Sequence, residues 1–230
     1  MKNLIKSIIL LVFLIVGLST HAQGYDLNDP NLIFKDNKGN IQTREWVSEL
    51  FKKGSVSVRQ KKNTDGKTEM TFNLISKKEV EENKKRESDG IEKLKNTKFP
   101  DFNLSTVDGK KVSNKDLEGK IVVFNFWFTT CGPCVTEMPE LNKIAEKYKD
   151  NKSVMFIAPS FEENEMIKKF LKRKSFDFKI VARSTELNKK LGILSYPVTI
   201  ITDKMGIIKE VIYSGENIIE KLDKFLYENI

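Results

Sequence analysis

A nearly continuous apolar run leads into two closely spaced cysteines, and this combination limits the possible folds more than any other part of the sequence. Residues 121–126 are apolar except for one asparagine, which is typical of a strand buried on both faces of a sheet. The chain then enters a Cys-Gly-Pro-Cys motif at Cys131 and Cys134, and residues 133–148 carry apolar side chains at helical spacing. Cys131 is therefore expected at or near a helix N-terminus, where backbone N–H groups and the helix dipole stabilise a thiolate. The pattern predicts a dithiol in which Cys131 is the nucleophile and Cys134 the resolving thiol.

Strands and helices alternate from residue 99 onward. Further apolar stretches predict strands at 154–158, 198–202 and 207–213, and amphipathic stretches predict helices at 164–174 and 216–226. The order β-α-β-α-β-β-α implies an α/β fold with a mixed central sheet flanked by helices. The last two strands are expected to form an antiparallel hairpin at the edge of that sheet.

The chain before residue 99 divides by composition. Residues 23–76 combine a short helix capped by Thr43 with two alternating strands joined by a turn at 63–66, which predicts a small N-terminal α+β domain of unknown role. Residues 77–98 are highly charged and almost free of apolar side chains, which predicts an exposed helix or linker. The main domain is expected at 99–230.

Residues 1–22 have the features of a secretory signal peptide. Lys2 and Lys6 precede an apolar run at 8–18, and small residues flank a cut after Ala22. The run has about half of the roughly 20 residues that a membrane-spanning helix needs. The sequence therefore predicts export to the periplasm or cell envelope, with no integral membrane span in the mature form. An uncleaved signal that acts as a membrane anchor is the alternative.

Composition excludes several functional classes. The formal net charge is +8, but lysines alternate with acidic residues along the chain, so a solvated surface is expected and no nucleic-acid partner. The single histidine, His21, lies in the predicted signal peptide, which excludes histidine-dependent catalysis in the mature chain. Two cysteines without histidine are poor zinc ligands, and Val135 after Cys134 excludes the haem-attachment pattern. We expect no metal and no cofactor other than the dithiol itself.

A static disulfide is the alternative to a redox-active pair in an exported protein. However, a bridge between residues this close in sequence closes a loop too short to constrain the unfolded chain strongly. Redox chemistry is therefore the favoured role of Cys131 and Cys134.

Several stretches of the main domain match a known pattern. They are Phe99-Pro100-Asp101-Phe102-Asn103-Leu104, Asp108-Gly109-Lys110, Leu117-Glu118-Gly119-Lys120, Asn125-Phe126-Trp127, the Cys-Gly-Pro-Cys motif and Tyr196-Pro197-Val198-Thr199. Together they resemble the thioredoxin-like family, and within it the cell-envelope TlpA/ResA group. The resemblance implies a thioredoxin fold and a thiol-disulfide oxidoreductase with a redox-active Cys131–Cys134 disulfide. It also implies protein disulfides as substrates. The Gly132-Pro133 dipeptide resembles that of reducing thioredoxins, so reduction is the expected direction, and a membrane-bound electron donor is the expected partner.

The resemblance adds two candidate catalytic residues. Glu137 matches an active-site glutamate of ResA-like proteins and lies on the same helix face as Cys134, so it is a candidate acceptor for the proton that Cys134 loses. A surface acid favoured by the helix dipole is the alternative. Asn125 stands where cytoplasmic thioredoxins have a buried aspartate, so it cannot carry that proton. Pro197 matches the family's cis-proline, whose preceding backbone receives substrate; an ordinary proline before a strand is the alternative.

Residues around the dithiol are candidates for substrate contact. They are Trp127, Thr130, Gly132, Pro133 and Tyr196. Thr130 replaces the tryptophan that thioredoxins place before the first cysteine. Packing in the core or at its rim is an equal alternative for Trp127 and Tyr196.

Other functions stay open at this point. A disulfide oxidase or isomerase would use the same dithiol, because direction depends on residues near the sulfurs and on the electron donor. A thiol peroxidase is suggested because residues 99–120 are also similar to peroxiredoxins, but those proteins place a proline and a Thr or Ser where this chain has Phe124 and Phe128. A binding module without catalysis would be indicated by a missing cysteine, and both cysteines are present.

Overall fold

The structure is a computed structural model, and it describes residues 13–15, 30–213 and 217–230. The chain forms two compact units, Met1–Arg86 and Glu87–Ile230. Most of the predicted signal peptide lies outside the described residues; its described part, Phe13–Ile15, is a short strand. Within the described ranges, no helix is long and apolar enough to cross a membrane.

The N-terminal unit contains a five-stranded sheet and a short helix. Its elements are β1 (Phe13–Ile15), β2 (Leu32–Lys35), β3 (Ile41–Gln42), α1 (Arg44–Lys53), β4 (Val56–Lys62) and β5 (Thr68–Leu74). The strand order is β1-β4-β5-β2-β3, and β4 and β5 form the predicted hairpin. Thr43 caps α1 as predicted, since its hydroxyl oxygen accepts the Trp46 N–H at 3.2 Å. Alternate side chains of the hairpin pack with Val47 and Leu50 of α1 in one apolar core.

The charged segment forms the helix α2 (Lys77–Glu92). A capping box fixes its start: Glu79 accepts the Ser76 N–H at 2.7 Å, and the Ser76 hydroxyl accepts the Glu79 N–H at 3.2 Å. Of the two predicted forms, helix or linker, the structure has a helix over most of the segment. The division between the two units falls inside α2.

The C-terminal unit is built on a seven-stranded sheet. Its elements are β6 (Asn103–Thr106), β7 (Lys111–Ser113), a 3₁₀ turn (Asn114–Leu117), β8 (Ile121–Phe126), α3 (Gly132–Lys147), β9 (Val154–Pro159), α4 (Asn164–Leu171), β10 (Lys179–Ala182), α5 (Thr185–Leu191), β11 (Val198–Thr202), β12 (Ile208–Tyr213) and α6 (Ile218–Asn229). The strand order is β12-β11-β8-β9-β10-β6-β7. β8 runs parallel to β9 and antiparallel to β11, and β12 forms the edge beside β11. The predicted α/β class with a mixed sheet flanked by helices is confirmed.

The central strand β8 separates two apolar cores. Successive side chains of a strand point to opposite faces, and all six residues of β8 are buried. Ile121 and Val123 belong to the core that also contains buried residues of α3, α4 and α6. Val122, Phe124 and Phe126 belong to the other core, which includes residues of α5. This burial on both faces explains why the strand reads as an apolar run rather than an alternation.

The helix predicted at 164–174 ends earlier, at Leu171. The three residues after it are basic, and the next apolar residue is Phe176, which packs edge-on against Trp127 with ring centroids 5.5 Å apart. The chain leaves the helix because continuing it would carry Phe176 away from this core position. The elements β6, β7, β10 and α5 were not predicted; they span three to seven residues each, too short for a clear periodic pattern.

Candidate active site

Trp127 closes the core at the end of β8. Its side chain has no exposed surface, and its ring packs against Phe170 at a centroid distance of 5.3 Å. Its backbone N–H donates to the Pro159 carbonyl at 3.2 Å, and its indole N–H donates to the Ala158 carbonyl at 3.4 Å. This burial favours the alternative of core packing for Trp127, because a buried indole needs a partner for its N–H. Contact of Trp127 with substrate stays a prediction.

A turn after Trp127 delivers Cys131 to the start of α3. The Cys131 N–H donates to the Phe128 carbonyl at 3.1 Å and closes this turn. Cys131 is the N-cap residue of α3, and its Sγ accepts the Cys134 N–H at 3.2 Å. Within α3 the first turn has no acidic side chain. A thiolate at Cys131 would therefore face backbone N–H groups and the positive end of the helix dipole, and no acidic side chain in the first turn of α3 opposes them.

Cys131 and Cys134 form a disulfide with their Cα atoms 5.3 Å apart. Both residues are buried, with exposed fractions of 4% and 2% respectively. Their neighbours Thr130, Gly132 and Pro133 are exposed, so the motif is open to solvent on both sides of Cys131. These three predicted contact residues thus lie on the surface next to Cys131 in the chain, and their contact with substrate stays a prediction.

Glu137 lies one turn after Cys134 on α3. It is half-buried, and its Oε2 atom is inaccessible to solvent. Glu137 is thus not the fully exposed acid of the alternative interpretation, and its role in proton transfer stays a prediction. Asn125, at the position of the thioredoxin aspartate, is 2% exposed and donates from Nδ2 to the Thr199 hydroxyl oxygen at 2.9 Å. Its amide joins the neighbouring strands β8 and β11.

Tyr196 and Pro197 lie at the start of β11, beside the segment that carries the dithiol. The Tyr196–Pro197 bond is cis, as predicted. Val198 pairs with Phe126, so the start of β11 and the end of β8 meet at one end of the sheet. The half-buried Tyr196 ring stands edge-on to Phe128 at a centroid distance of 5.3 Å and packs against the core that contains both cysteines. The structure therefore brings these predicted residues together with the motif.

The Tyr196 ring is held on two further sides. Phe161 lies 5.6 Å away between ring centroids. The Tyr196 hydroxyl oxygen accepts a hydrogen bond from Asn188 Nδ2 at 2.7 Å, and Asn188 is itself buried. The ring is thus part of a fixed aromatic group, which fits its predicted alternative of packing at the rim of the core.

Glu162 is a buried acid that no motif in the sequence indicates. Only 4% of it is exposed, and its carboxylate accepts the Thr129 N–H and hydroxyl, each at 2.7 Å, and the Ser160 hydroxyl at 3.2 Å. Burial raises the pKa of the Glu162 carboxyl above its ordinary value, and these hydrogen bonds offset only part of the rise. The next residue, Glu163, is exposed and pairs with Arg183. The sequence holds no signal that tells which of two adjacent glutamates is buried.

The described residues hold no group of three or more His, Cys, Asp or Glu side chains that could bind a metal ion.

Comparisons with known proteins agree on the C-terminal unit. The sequence profile of the AhpC/TSA family matches residues 96–211. The chain is 36% identical over 130 residues to the thiol-disulfide oxidoreductase ResA of Bacillus thuringiensis, which covers 55% of this chain and 73% of that protein. It is 36% identical over 114 residues to the thioredoxin-like protein YneN of Bacillus subtilis, covering 49% of this chain and 67% of that protein. The solved structure of a thiol-disulfide oxidoreductase from Bacteroides fragilis superposes with a TM-score of 0.51 at 25% identity, covering 56% of this chain and 99% of that one.

Proposed function

Because the chain belongs to the AhpC/TSA family and is, like its relatives, a thiol-disulfide oxidoreductase, we propose that it reduces protein disulfides in the cell envelope through Cys131 and Cys134. One observation carries the proposal: a disulfide at the N-terminus of α3, directly after the central strand, with exposed residues on both sides of Cys131.

The first step is attack on the substrate by Cys131. In the reduced protein its thiolate attacks one sulfur of a substrate disulfide, the substrate S–S bond breaks, and the other substrate sulfur leaves as a thiolate. The product is a mixed disulfide between Cys131 and the substrate. The N-cap position of Cys131 supports this role, because backbone N–H groups at a helix start stabilise the attacking thiolate.

The second step is release of the substrate by Cys134. Cys134 loses its proton, its thiolate attacks the Sγ atom of Cys131, and the second substrate sulfur leaves as a thiolate. Two electrons have then moved from the dithiol to the substrate, and the Cys131–Cys134 disulfide has formed. The half-buried Glu137, one turn further along α3, is the proposed acceptor of the Cys134 proton.

An extended substrate segment is proposed to lie beside Tyr196 and Pro197. The start of β11 meets the end of β8 here, next to the turn that carries Cys131. Main-chain hydrogen bonds to a substrate strand do not depend on its side chains, so one site accepts many protein disulfides. Thr130, Gly132 and Pro133 supply the exposed surface on the other side of the disulfide.

Regeneration of the dithiol requires a donor of two electrons and two protons. We propose a membrane-bound dithiol donor, because the signal-like sequence of residues 1–22 directs the chain out of the cytoplasm, away from soluble cytoplasmic reductants. Cleavage of this segment is part of the proposal, and N-terminal sequencing of the exported protein tests it.

The direction of transfer is tested by the reduction potential of the Cys131–Cys134 pair. A reductase is expected near the value of thioredoxin, about −270 mV, whereas an oxidase such as DsbA lies near about −120 mV. Equilibration with glutathione buffers, followed by thiol alkylation and mass measurement, gives the value. A potential near that of DsbA would replace reduction by oxidation as the physiological direction.

Peroxide reduction is a less supported function. Phe128, at one of the positions where peroxiredoxins carry a polar residue or proline, packs with Phe161 and Tyr196 in an apolar group. Consumption of hydrogen peroxide by the reduced protein, measured beside reduction of a protein disulfide, separates the two activities.

A further inference from the structure

The buried carboxylate of Glu162 holds the turn that presents Cys131. This turn spans residues 128–131 and is closed by the bond from the Cys131 N–H to the Phe128 carbonyl. Thr129 lies inside the turn, and both of its donors go to Glu162: its N–H to Oε2 and its hydroxyl to Oε1, each at 2.7 Å. Two bonds from one residue to the two oxygens of one carboxylate fix both position and orientation.

Glu162 is itself fixed to the sheet. Its N–H donates to the Ser160 hydroxyl oxygen at 3.3 Å, and its carbonyl accepts the Arg183 N–H at 3.1 Å. Ser160 follows β9 directly, and its N–H donates to the Val181 carbonyl of β10 at 2.9 Å. The carboxylate is therefore attached to the rigid sheet rather than to a free loop.

An acid in this position needs an explanation, because burying a carboxylate costs free energy. The three donors that reach it in the described structure, two from Thr129 and one from Ser160, are neutral. The nearby Arg183 guanidinium pairs with Glu163 instead. Glu162 is a costly buried acid, and it is hydrogen-bonded to Thr129, which lies two residues before Cys131. Its position points to a role at the site rather than in stability.

We propose that Glu162 is a positioning residue for disulfide exchange: by holding Thr129 it fixes the 128–131 turn and keeps the Sγ atom of Cys131 at the N-terminus of α3. This inference rests on the proposed function. Without the carboxylate the turn is free to shift, and Sγ loses its alignment with the Cys134 N–H, which lies 3.2 Å away. The thiolate is then less stabilised, so a smaller fraction of the Cys131 thiol is ionised below its titration midpoint.

Two substitutions separate geometry from charge. Glu162→Gln preserves the contacts, since its carbonyl oxygen accepts from the Thr129 N–H and the Ser160 hydroxyl while its amide donates to the Thr129 hydroxyl, which rotates to accept. Glu162→Ala removes all of them. Glu163→Ala, which changes the exposed neighbouring acid, is the matched control.

The experiment is a titration of the Cys131 thiolate in the full chain. Each variant is made in a Cys134→Ser background, where Cys131 is the remaining thiol, and thiolate is followed by its ultraviolet absorbance across pH. We expect Glu162→Ala to raise the titration midpoint by about half a pH unit or more, as loss of a helix N-terminus interaction implies. At a pH at least one unit below both midpoints, its reaction with a small aromatic disulfide is expected to slow about twofold or more, because the fall in the thiolate fraction exceeds the gain in nucleophilicity that accompanies a higher pKa. Glu162→Gln and Glu163→Ala are expected to leave both values unchanged.

Three results would overturn the proposal. An unchanged midpoint in Glu162→Ala, with a lower melting temperature alone, would make Glu162 structural. A lower midpoint in both Glu162→Gln and Glu162→Ala would mean that Glu162 acts through its charge. A midpoint raised equally in both variants would mean that the hydrogen bonds kept by Glu162→Gln do not position Cys131. If Glu162→Ala does not fold, Thr129→Val, which removes only the hydroxyl contact, is expected to raise the midpoint by a smaller amount, and no rise would count against the proposal. The titration uses no protein substrate, so its outcome is independent of whether the protein reduces protein disulfides.

Discussion

Reduction of the Cys131–Cys134 disulfide is expected to change the stability of the C-terminal unit only slightly. The two cysteines are three positions apart. For a closed loop of about four residues, the chain-entropy relation gives a cross-link contribution of about 6 cal/mol/K, or about 2 kcal/mol at 25 °C. Reduction therefore removes at most about 2 kcal/mol from the free energy of unfolding, or about 4 to 8 °C in melting temperature for a domain of this size.

The reduced state recovers part of this loss. A Cys131 thiolate at the N-cap of α3 gains about 0.3 to 1 kcal/mol from the helix N-terminus, which the unfolded chain does not offer. The net difference between the oxidised and reduced proteins should therefore lie between about 1 and 2 kcal/mol. A thermodynamic cycle links folding and reduction. The reduction potential of the Cys131–Cys134 pair in the folded protein should therefore lie within about 45 mV of its reduction potential in the unfolded chain.

Urea unfolding of the oxidised and reduced proteins measures this difference. The buried Trp127 reports on the C-terminal unit, and Trp46→Phe removes the tryptophan of the N-terminal unit. A loss above about 4 kcal/mol on reduction exceeds what a loop this short can contribute. That result would identify a structural cross-link and refute the redox interpretation of the pair.

Three further predictions concern individual side chains. Cys131→Ser should abolish disulfide exchange, whereas Cys134→Ser should accumulate mixed disulfides with substrate, seen as added mass; accumulation in the Cys131 variant would reverse the two roles. Glu137→Gln should slow release of the mixed disulfide and change its pH profile while leaving the fold intact; wild-type rates at every pH would exclude Glu137 as the acceptor of the Cys134 proton. Because burial raises the pKa of Glu162 in the folded state, the folded protein binds that proton more tightly than the unfolded chain. We therefore compare the unfolding free energy of wild type with that of Glu162→Gln. Wild type minus variant should rise as the pH falls from neutral to about 4.3 and should level off below that pH. A difference that falls with acidification would contradict the raised pKa of Glu162.

Elements with a strong local pattern were predicted from the sequence. The strands β8 and β11 have the predicted bounds because each is a continuous apolar run buried on both faces. The position of Cys131 at the start of α3 was predicted because the apolar run ends at residue 126 and the amphipathic stretch begins at residue 133. The turn between strand and helix must lie in the few residues between them.

Features that depend on distant residues could not be read in this way. The four-residue strand β10 is held by its pairing with β9 and β6, so its own sequence carries little signal. The burial of Trp127 could not be decided from the sequence because the partners that bury it, Phe170 and Phe176, are more than forty residues away in the chain. Glu162 escaped prediction for the same reason: its partner Thr129 is 33 positions earlier.

Single-turnover electron transfer to a protein disulfide is the decisive measurement for the proposed reductase activity. The reduced full chain is mixed with excess insulin under anaerobic conditions, and the thiols of both proteins are alkylated and counted by mass over time. The account predicts that each molecule loses two thiols, forms the Cys131–Cys134 disulfide and yields two insulin thiols in return. A reduced protein that keeps both of its thiols in the presence of insulin disulfides would contradict it.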